Sequence, residues 1–315
     1  MKLQQLKYIL EVYKKNLNVS EAAQSLYTSQ PAISKQILLL EEELGVSIFV
    51  RQGKRMVGVT KPGQLILEMA QRLMGEVENI KKIGEDLSIQ NSGSIRLAGV
   101  YAFIHYELPD KIGALKKAYP AVKLSILSGT SAEVARLVRD YEADIGVVHQ
   151  QASCNPELYY LPCTSWSYQL LMPTSHVLAS KSVIELQDLV RYPLIISSDD
   201  SIGLERSTSL FEKAGIEFPT IDLVVADAEM VKAFVQKGLG IGLIESMALG
   251  LENLDEELEV ISVSHLLPEV ETRLILRKDQ YISKHLYELI QLLNPRLTRE
   301  KIERLSKEAE LDYVI

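Results

Sequence analysis

Short hydroxyl side chains, an amide and a lysine cluster between residues 28 and 35, and a basic run follows at residues 51–55. An amide can make a bidentate hydrogen bond with adenine, while hydroxyls and cations can contact base edges or phosphates. Cations in a short turn suit the DNA backbone or the adjacent minor groove. The candidate DNA-contacting residues are Thr28, Ser29, Gln30, Pro31, Ser34, Lys35, Arg51, Lys54 and Arg55.

Three helices and a hairpin are predicted to carry these residues. Apolar residues from Leu3 to Tyr13 follow the i, i+3, i+4 spacing of a helix with one buried face. Asn18 can cap a short second helix, and a third helix begins at residue 28 or 29 and stops at Gly45. Residues 47–50 and 56–59 then form two short strands around the basic turn.

This order of elements is that of a winged helix-turn-helix, with the helix-turn-helix spanning Val19 to Leu38. In such a fold the second helix of the pair enters the major groove with its N-terminal residues facing the bases. The same pattern also fits a helical subdomain whose third helix merely has a polar surface and whose hairpin carries solvated charges.

The charge of the chain is divided unevenly, which bears on that choice. The whole chain carries −8 with a pI near 5.3, a balance that by itself disfavours nucleic acid as a partner. Residues 1–61, however, hold nine basic and five acidic groups, a balance of +4, so the remainder carries −12. A basic N-terminal segment (the head, residues 1–61) followed by an acidic remainder (the body) is typical of a polyanion-binding domain joined to a domain with a different function.

Length and composition set the class of protein. At 315 residues the chain is about twice the usual domain size, so two or three packed units are expected. With 47% apolar and 24% charged residues it is expected to be soluble and globular, which excludes disordered and fibrous classes. The chain opens without an apolar leader pattern and has no run of about 18 apolar residues, so we expect a cytoplasmic location and no membrane partner.

Side-chain patterns for catalysis or metal binding are missing. Cys154 and Cys163 fit neither a CxxC pair nor a four-ligand zinc site and are expected to be reduced thiols. The five histidines have no ligand spacing, and no nucleophile elbow, HExxH or phosphate-binding loop occurs. The sequence therefore predicts no enzyme, no metal and no cofactor.

A long amphipathic helix is predicted over residues 62–87, followed by a polar hinge at 88–93. A heptad-like apolar stripe on such a helix favours a dimer-forming coiled coil, and the alternative is that the stripe packs on its own domain. The residues of the stripe are Ile66, Met69, Leu73, Val77, Ile80 and Leu87.

From residue 94 short apolar strands alternate with helices, which is typical of parallel sheets with helices on their faces. The pattern occurs twice and predicts two α/β lobes with a ligand cleft at the carboxyl ends of the strands. Hydroxyl side chains at a helix N-terminus, such as Thr130 and Ser131, can bind an anion, although they more often only cap the helix. A single histidine such as His149 is more often packed in the core or solvated than in contact with a ligand. The candidate effector-binding residues are Val100, Ala102, Phe103, Thr130, Ser131, His149, Ser198, Ile202 and Asp227.

The head also carries a long motif. The run AAQSLYTSQPAISKQI at residues 22–37, with LEEELGV at 40–46 and FVR at 49–51, resembles the DNA-binding head of the LysR-type transcriptional regulators. This resemblance implies a winged helix-turn-helix, a long linker helix and a two-lobed, periplasmic-binding-protein-like α/β effector domain. It also implies promoter DNA, a small-molecule effector and RNA polymerase as partners, and a homotetramer built as a dimer of dimers.

Within that family the chain is most similar to the CysB/Cbl subfamily of cysteine-regulon regulators. The segments that carry this likeness lie at residues 1–8, 16–20, 26–31, 106–109, 161–163, 226–228 and 238–242. The subfamily lines its cleft with threonines and a glutamine that take an acetylated serine or an anion, whereas this chain has Val100, Ala102, Phe103, His149 and Ile202. Because fewer hydroxyls leave a buried anion with fewer partners, we expect an altered, less anionic or weakly bound effector.

The leading interpretation is a regulator of cysteine biosynthesis and sulfur assimilation genes. Its expected domains are a DNA-binding head at 1–61, a linker helix and hinge at 62–92, an effector body at 93–295 and a helical tail at 296–315. The alternatives are a regulator of a different pathway and, from another class, a small-molecule-binding or scaffolding protein whose head binds protein rather than DNA.

Overall fold

The computed structural model describes residues 1–53, 55–87, 92–149, 154–197, 208, 211–249, 256–267, 269–302 and 304. The chain divides into two units, residues 1–87 and 88–315. Four predicted features lie wholly or largely outside the described residues: Lys54, the effector candidates Ser198 and Ile202, most of the hinge, and the tail from residue 305.

The first unit opens with the predicted helix-turn-helix and hairpin. Helices α1 (Leu3–Lys14), α2 (Val19–Ser25) and α3 (Gln30–Leu44) precede the antiparallel strands β1 (Phe49–Gln52) and β2 (Arg55–Val59). Local signals place the helix ends as expected: the Asn18 side chain accepts hydrogen bonds from the Ser20 and Glu21 amides, and Gly45 ends α3 at a φ of +69°. The core between the helices consists mainly of Leu6, Ile9, Val12, Ile33, Ile37 and Leu40.

The long helix α4 (Lys61–Leu87) completes the first unit and has two different faces. Leu67 and Ala70 are buried in the core of the head. On another face the predicted stripe is exposed to solvent at Met69, Leu73, Ile80 and Leu87. Within the first unit, as far as the structure describes it, these four side chains are therefore left uncovered.

The second unit contains two lobes, each built on a five-stranded sheet. The elements of its first half are β3 (Ser94–Gly99), a π-helix (Phe103–Glu107), α5 (Leu108–Ala118), β4 (Lys123–Ser128), α6 (Ser131–Arg139), β5 (Ile145–His149) and β6 (Leu158–Trp166). Those of its second half are β7 (Tyr168–Pro173), α7 (Leu186–Leu189), β8 (Leu194–Ser197), β9 (Ile221–Val225), α8 (Ala228–Gln236), β10 (Ile241–Glu245), β11 (Leu258–Ser262), β12 (Val270–Arg277) and α9 (Lys284–Leu293). Short 3₁₀ turns lie at Val177–Ser180 and Ser246–Leu249.

The strand order gives each lobe a parallel centre with antiparallel additions. The first-lobe sheet runs β4-β3-β5-β12-β6, in which β12 is antiparallel to both of its neighbours. The second-lobe sheet runs β11-β7-β10-β8-β9, in which β7 is antiparallel to both β10 and β11. The chain thus crosses from the first lobe to the second after β6 and returns before β12.

This architecture confirms the expected two-lobed α/β body behind a winged helix-turn-helix, with two differences in detail. The sheets are mixed rather than wholly parallel, because β7 and β12 run antiparallel to their neighbours. The edge strands β6 and β11 were also not expected. Strand β6 was not predicted because it contains Pro162, and proline is unfavourable in a central strand. Proline is acceptable at the edge of a sheet, which is where β6 lies. None of the helices that the structure describes combines the length and apolar character needed to span a bilayer.

Candidate nucleic-acid interface and effector positions

The first turn of α3 presents the predicted DNA-contacting side chains together. The Ser29 hydroxyl caps the helix by accepting a hydrogen bond from the Ala32 amide, and Gln30 and Lys35 are exposed. Gln30 Nε2 donates to Ser34 Oγ over 3.2 Å, so the amide is already oriented along the helix surface. Thr28 is half-buried and Pro31 is exposed in the same turn. This surface presents neutral hydrogen-bond donors and acceptors beside one cation, and such groups can hydrogen-bond to the edges of DNA bases.

The hairpin is anchored to α3 by a carboxylate that the sequence pattern did not single out. Glu41, whose side chain is only 9% exposed, accepts hydrogen bonds from the Ile48 amide (2.8 Å), the Phe49 amide (3.1 Å) and Arg51 Nη2 (2.7 Å). Arg51 is therefore ion-paired within the head, although it is exposed like Arg55. Glu41 lies in an acidic run typical of a solvated helix face, and only the tertiary contact reveals its role.

The apolar effector candidates that the structure describes, Val100, Ala102 and Phe103, are buried in protein. Val100 and Phe103 lie in the main core of the first lobe. Ala102 and Tyr106 instead join a core cluster supplied mostly by the second lobe, including Ile244. The segment around the π-helix thus packs one lobe against the other.

An internal carboxylate occupies the helix end at which an anion was expected. The Thr130 amide and hydroxyl both donate to Glu133 Oε2, at 2.8 and 2.9 Å, and Thr130 Oγ1 accepts from the Glu133 amide. These hydrogen bonds from Thr130 lower the pKa of the Glu133 carboxyl, so it is charged at neutral pH. An N-terminal carboxylate already satisfies the helix dipole and repels a second anion.

His149 is buried and neutral. Its backbone amide donates to Ser131 Oγ (3.1 Å), and its ring meets the Trp166 ring edge-to-face at a centroid distance of 5.9 Å. Burial lowers the pKa of His149 to about 4, which keeps the imidazole uncharged at physiological pH. His149 Nδ1 and Trp166 Nε1 are both buried, and neither has a hydrogen-bond partner within the described part of the chain. Asp227, in contrast, caps α8 by accepting from the Met230 amide at 2.9 Å.

A side-chain cluster that was not predicted ties the two lobes together. Tyr106 from the π-helix donates its hydroxyl hydrogen to Glu229 Oε1 on α8, at 2.8 Å. Lys232 pairs with the same carboxylate oxygen at 2.8 Å and donates to the Ala248 carbonyl. Burial and the Glu229 carboxylate raise the pKa of Tyr106, so its hydroxyl stays protonated. π-Helical turns are frequent at functional sites, but the turn has no sequence signal that could have predicted it.

The residues that the structure describes do not form a metal-binding site. No group of three or more His, Cys, Asp or Glu side chains there could hold an ion. Cys154 and Cys163 are free thiols, and burial raises the pKa of Cys163 to about 12, so this thiol is unreactive.

A helix-turn-helix head with a wing, joined to a two-lobed α/β body, defines a class of bacterial DNA-binding regulator. Residues 3–64 match the family described as "Bacterial regulatory helix-turn-helix protein, lysR family", and residues 88–298 match the "LysR substrate binding domain". The chain belongs to the LysR family of DNA-binding transcriptional regulators and is not an enzyme. The family resemblance of residues 22–51 is thereby confirmed.

Relatives within the family match along the whole chain. The HTH-type transcriptional regulator CysB of Burkholderia cenocepacia is 39% identical over 98% of this chain and 99% of its own length. The regulator cbl of Escherichia coli K12 is 34% identical over the full length of both chains. Among solved structures, the cofactor-binding domain of the Cbl transcriptional regulator matches with a TM-score of 0.64 and 31% identity, covering 68% of this chain and 93% of that domain. Full-length OxyR C199D from Pseudomonas aeruginosa matches with a TM-score of 0.71 over 93% of this chain and 97% of its own, but at 22% identity it supports the fold alone.

Proposed function

We propose that this chain regulates genes of cysteine biosynthesis and sulfur assimilation. The observation that carries the proposal is the whole-length identity of 39% to a regulator named CysB, supported by 34% identity to one named cbl. Since its partner is chromosomal DNA, we place the protein in the bacterial cytoplasm.

DNA binding is assigned to the first turn of α3 and to the wing. Gln30 and Ser34 would read base edges, while Thr28, Ser29, Pro31 and Lys35 would fit the helix into the groove. Arg55, with Lys54, would contact phosphates, and Arg51 would hold the wing in place through Glu41. The exposed apolar face of α4 would be covered by a second copy of the chain, which gives two reading heads for two half-sites. We further propose that two such dimers form a tetramer, and that the DNA-bound protein contacts RNA polymerase.

Genome-wide footprinting of cells with and without sulfur limitation tests the pathway. The wild-type chain should occupy promoters of sulfate-assimilation and cysteine genes, with occupancy that changes between the two conditions. Gln30→Ala should lose about 1 to 3 kcal/mol of discrimination, so occupancy should spread to other sequences. Occupancy at unrelated promoters that ignores sulfur supply would assign the chain to another pathway.

The effector is proposed to be a small molecule that presents an uncharged polar group. Glu133 already fills the α6 N-terminus. His149 Nδ1 and Trp166 Nε1, two buried nitrogens without a hydrogen-bond partner among the described residues, both belong to neutral rings. A carbonyl, amide or hydroxyl group can satisfy both ring nitrogens, whereas a buried sulfate or carboxylate would keep an uncompensated charge.

Calorimetric titration tests this effector class. Sulfate, O-acetylserine and N-acetylserine should show no binding at micromolar concentrations to the full chain. His149→Thr supplies a hydroxyl in place of the neutral ring and should raise the affinity for these ligands, while the exposed control His105→Thr should not. Micromolar binding of any of these three ligands, each of which carries a sulfate or carboxylate group, to the wild-type chain would disprove the proposal.

A further inference from the structure

Tyr106 is a residue of the first lobe that packs into the second. Its ring is buried and, together with Ala102, lies in an apolar cluster whose other described members all belong to the second lobe. Its hydroxyl donates to Glu229 Oε1 on α8, and Lys232 Nζ lies 5.8 Å from the centre of its ring, within cation–π range. Apolar, hydrogen-bonding and cation–π contacts between the lobes therefore meet at one side chain.

The groups around Tyr106 are arranged so that the lobes can part at its hydrogen bond to Glu229. Lys232 pairs with Glu229 from the same helix and donates to the Ala248 carbonyl at 2.6 Å, so both of these contacts stay within the second lobe. The Glu229 side chain is 41% exposed, which lets water replace the Tyr106 hydroxyl as a donor. Parting of the lobes therefore leaves no buried charge without a partner, the result that makes a buried ion pair costly to break.

The cleft residues His149 and Trp166 lie on opposite sides of the same division. His149 ends β5 in the first lobe, whereas the Trp166 ring is packed in the core of the second. The two rings are in edge-to-face contact, and His149 Nδ1 and Trp166 Nε1 are both buried. A ligand that hydrogen-bonds to these nitrogens cannot reach them while the rings stay in contact. Access to this part of the cleft thus requires the lobes to move apart.

We propose that the Tyr106–Glu229 hydrogen bond is a latch that holds the lobes together, and that the effector enters the cleft when this bond breaks. This role rests on the proposed function of the cleft. A hydrogen bond to a charged carboxylate is stronger than one between neutral groups, which suits a contact that holds the lobes closed. Because water can satisfy both groups once they separate, the latch is also reversible.

Quenching of Trp166 fluorescence by acrylamide measures the opening, because Trp166 is the single tryptophan of the chain and is 4% exposed. Tyr106→Phe keeps the ring in the apolar cluster but removes the donor. It should raise the ratio of open to closed molecules about threefold to tenfold, and with it the quenching constant of the full chain. Glu229→Gln, which leaves a weaker neutral acceptor, should raise the quenching constant less. The double variant should exceed Tyr106→Phe no further, because both substitutions act on one bond.

Tyr141→Phe is the matched control, because Tyr141 makes the same kinds of contact inside the first lobe. Its hydroxyl donates to Asp279, and the Arg277 guanidinium lies 4.4 Å from the centre of its ring. This variant should unfold at a lower urea concentration than the wild type but leave the quenching constant of the native chain unchanged.

An unchanged quenching constant in either single latch variant would disprove the latch, as would a double variant that is quenched more strongly than Tyr106→Phe. A rise of equal size in Tyr141→Phe would also overturn it, since quenching would then report general loosening of the lobes. No ligand is used, so the latch can fail while the proposed effector class stands. Micromolar binding of sulfate together with increased quenching in Tyr106→Phe would instead refute the effector class and leave the latch in place.

Discussion

Gly63→Ala should lower the free energy of unfolding of the DNA-binding head by about 3 kcal/mol, although it adds a single methyl group. Gly63 lies in the first turn of α4, where the helix passes directly over the start of the wing. A Cβ at this position would lie 2.0 Å from the Ile48 carbonyl oxygen and 2.8 Å from its carbon, both of them backbone atoms. Because backbone cannot move aside as a flexible side chain does, the helix and the wing would have to separate.

Hydrogen bonds hold the two elements at this distance. The Thr60 amide donates to the Ile48 carbonyl (2.9 Å), and the Thr60 hydroxyl donates to the Ser47 carbonyl. The Gly63 amide in turn donates to Thr60 Oγ1 (2.9 Å). Separating α4 from the wing would break these bonds and disturb the strand that carries Arg51. We therefore expect Gly63→Ala to weaken DNA binding as well as stability.

Gly84→Ala is a control with the same chemistry in the same helix. Nothing lies within 4 Å of a Cβ at Gly84, so the change should stabilise the helix by about 0.5 to 1 kcal/mol. Urea unfolding followed by circular dichroism, together with DNA binding by anisotropy, measures both variants. Equal midpoints for the two variants would mean that the approach of α4 to the wing does not require glycine.

The contrast between these two glycines shows how far the sequence could be interpreted. Asn18, Ser29 and Gly45 act through neighbouring residues, so the helix boundaries of the head were predictable from local patterns. Gly63 looks like any glycine within a helix, because the atoms that forbid a side chain there belong to a distant segment. Local chemistry therefore predicted the elements but not the distances between them.

The effector body illustrates the same limit at the level of the site. The strand ends that carry Val100, Ala102 and His149 were predictable from the alternation of strands and helices. Their burial was not, because it depends on how the π-helix packs on the second lobe. The capping box of Thr130 and Glu133 is a four-residue pattern that could have been recognised, and it would have argued against an anion at that helix end.

Asp144→Ala should destabilise the first lobe by about 3 to 5 kcal/mol, because it leaves buried positive charge without its partner. Asp144 is 1% exposed, and its carboxylate accepts from the Arg96 amide (2.8 Å) and from Arg96 Nη2 (2.8 Å). Arg277 Nη2 lies 3.9 Å away from the same carboxylate. Burial lowers the pKa of Arg277, and the charges of Asp144 and then Asp279 oppose that effect, so losing Asp144 removes the stronger of the two counter-charges of a buried guanidinium.

We expect the loss of stability in Asp144→Ala to come from the buried Arg277 charge left without Asp144, rather than from the loss of a favourable ion pair. Arg277 also donates to the carbonyls of Val138 and Ala143, at 2.6 Å each, which fixes the end of α6 beside β5. Adding Arg277→Met to Asp144→Ala should therefore recover part of the lost stability, since an apolar side chain needs no counter-charge. Asp140→Ala, which removes an acid paired with Arg139 near the surface, should cost about 1 kcal/mol or less. Chemical unfolding of the wild type, Asp144→Ala, the double variant and Asp140→Ala distinguishes the cases. If the double variant were clearly less stable than Asp144→Ala, Arg277 would stabilise the lobe through its carbonyl contacts, independently of Asp144.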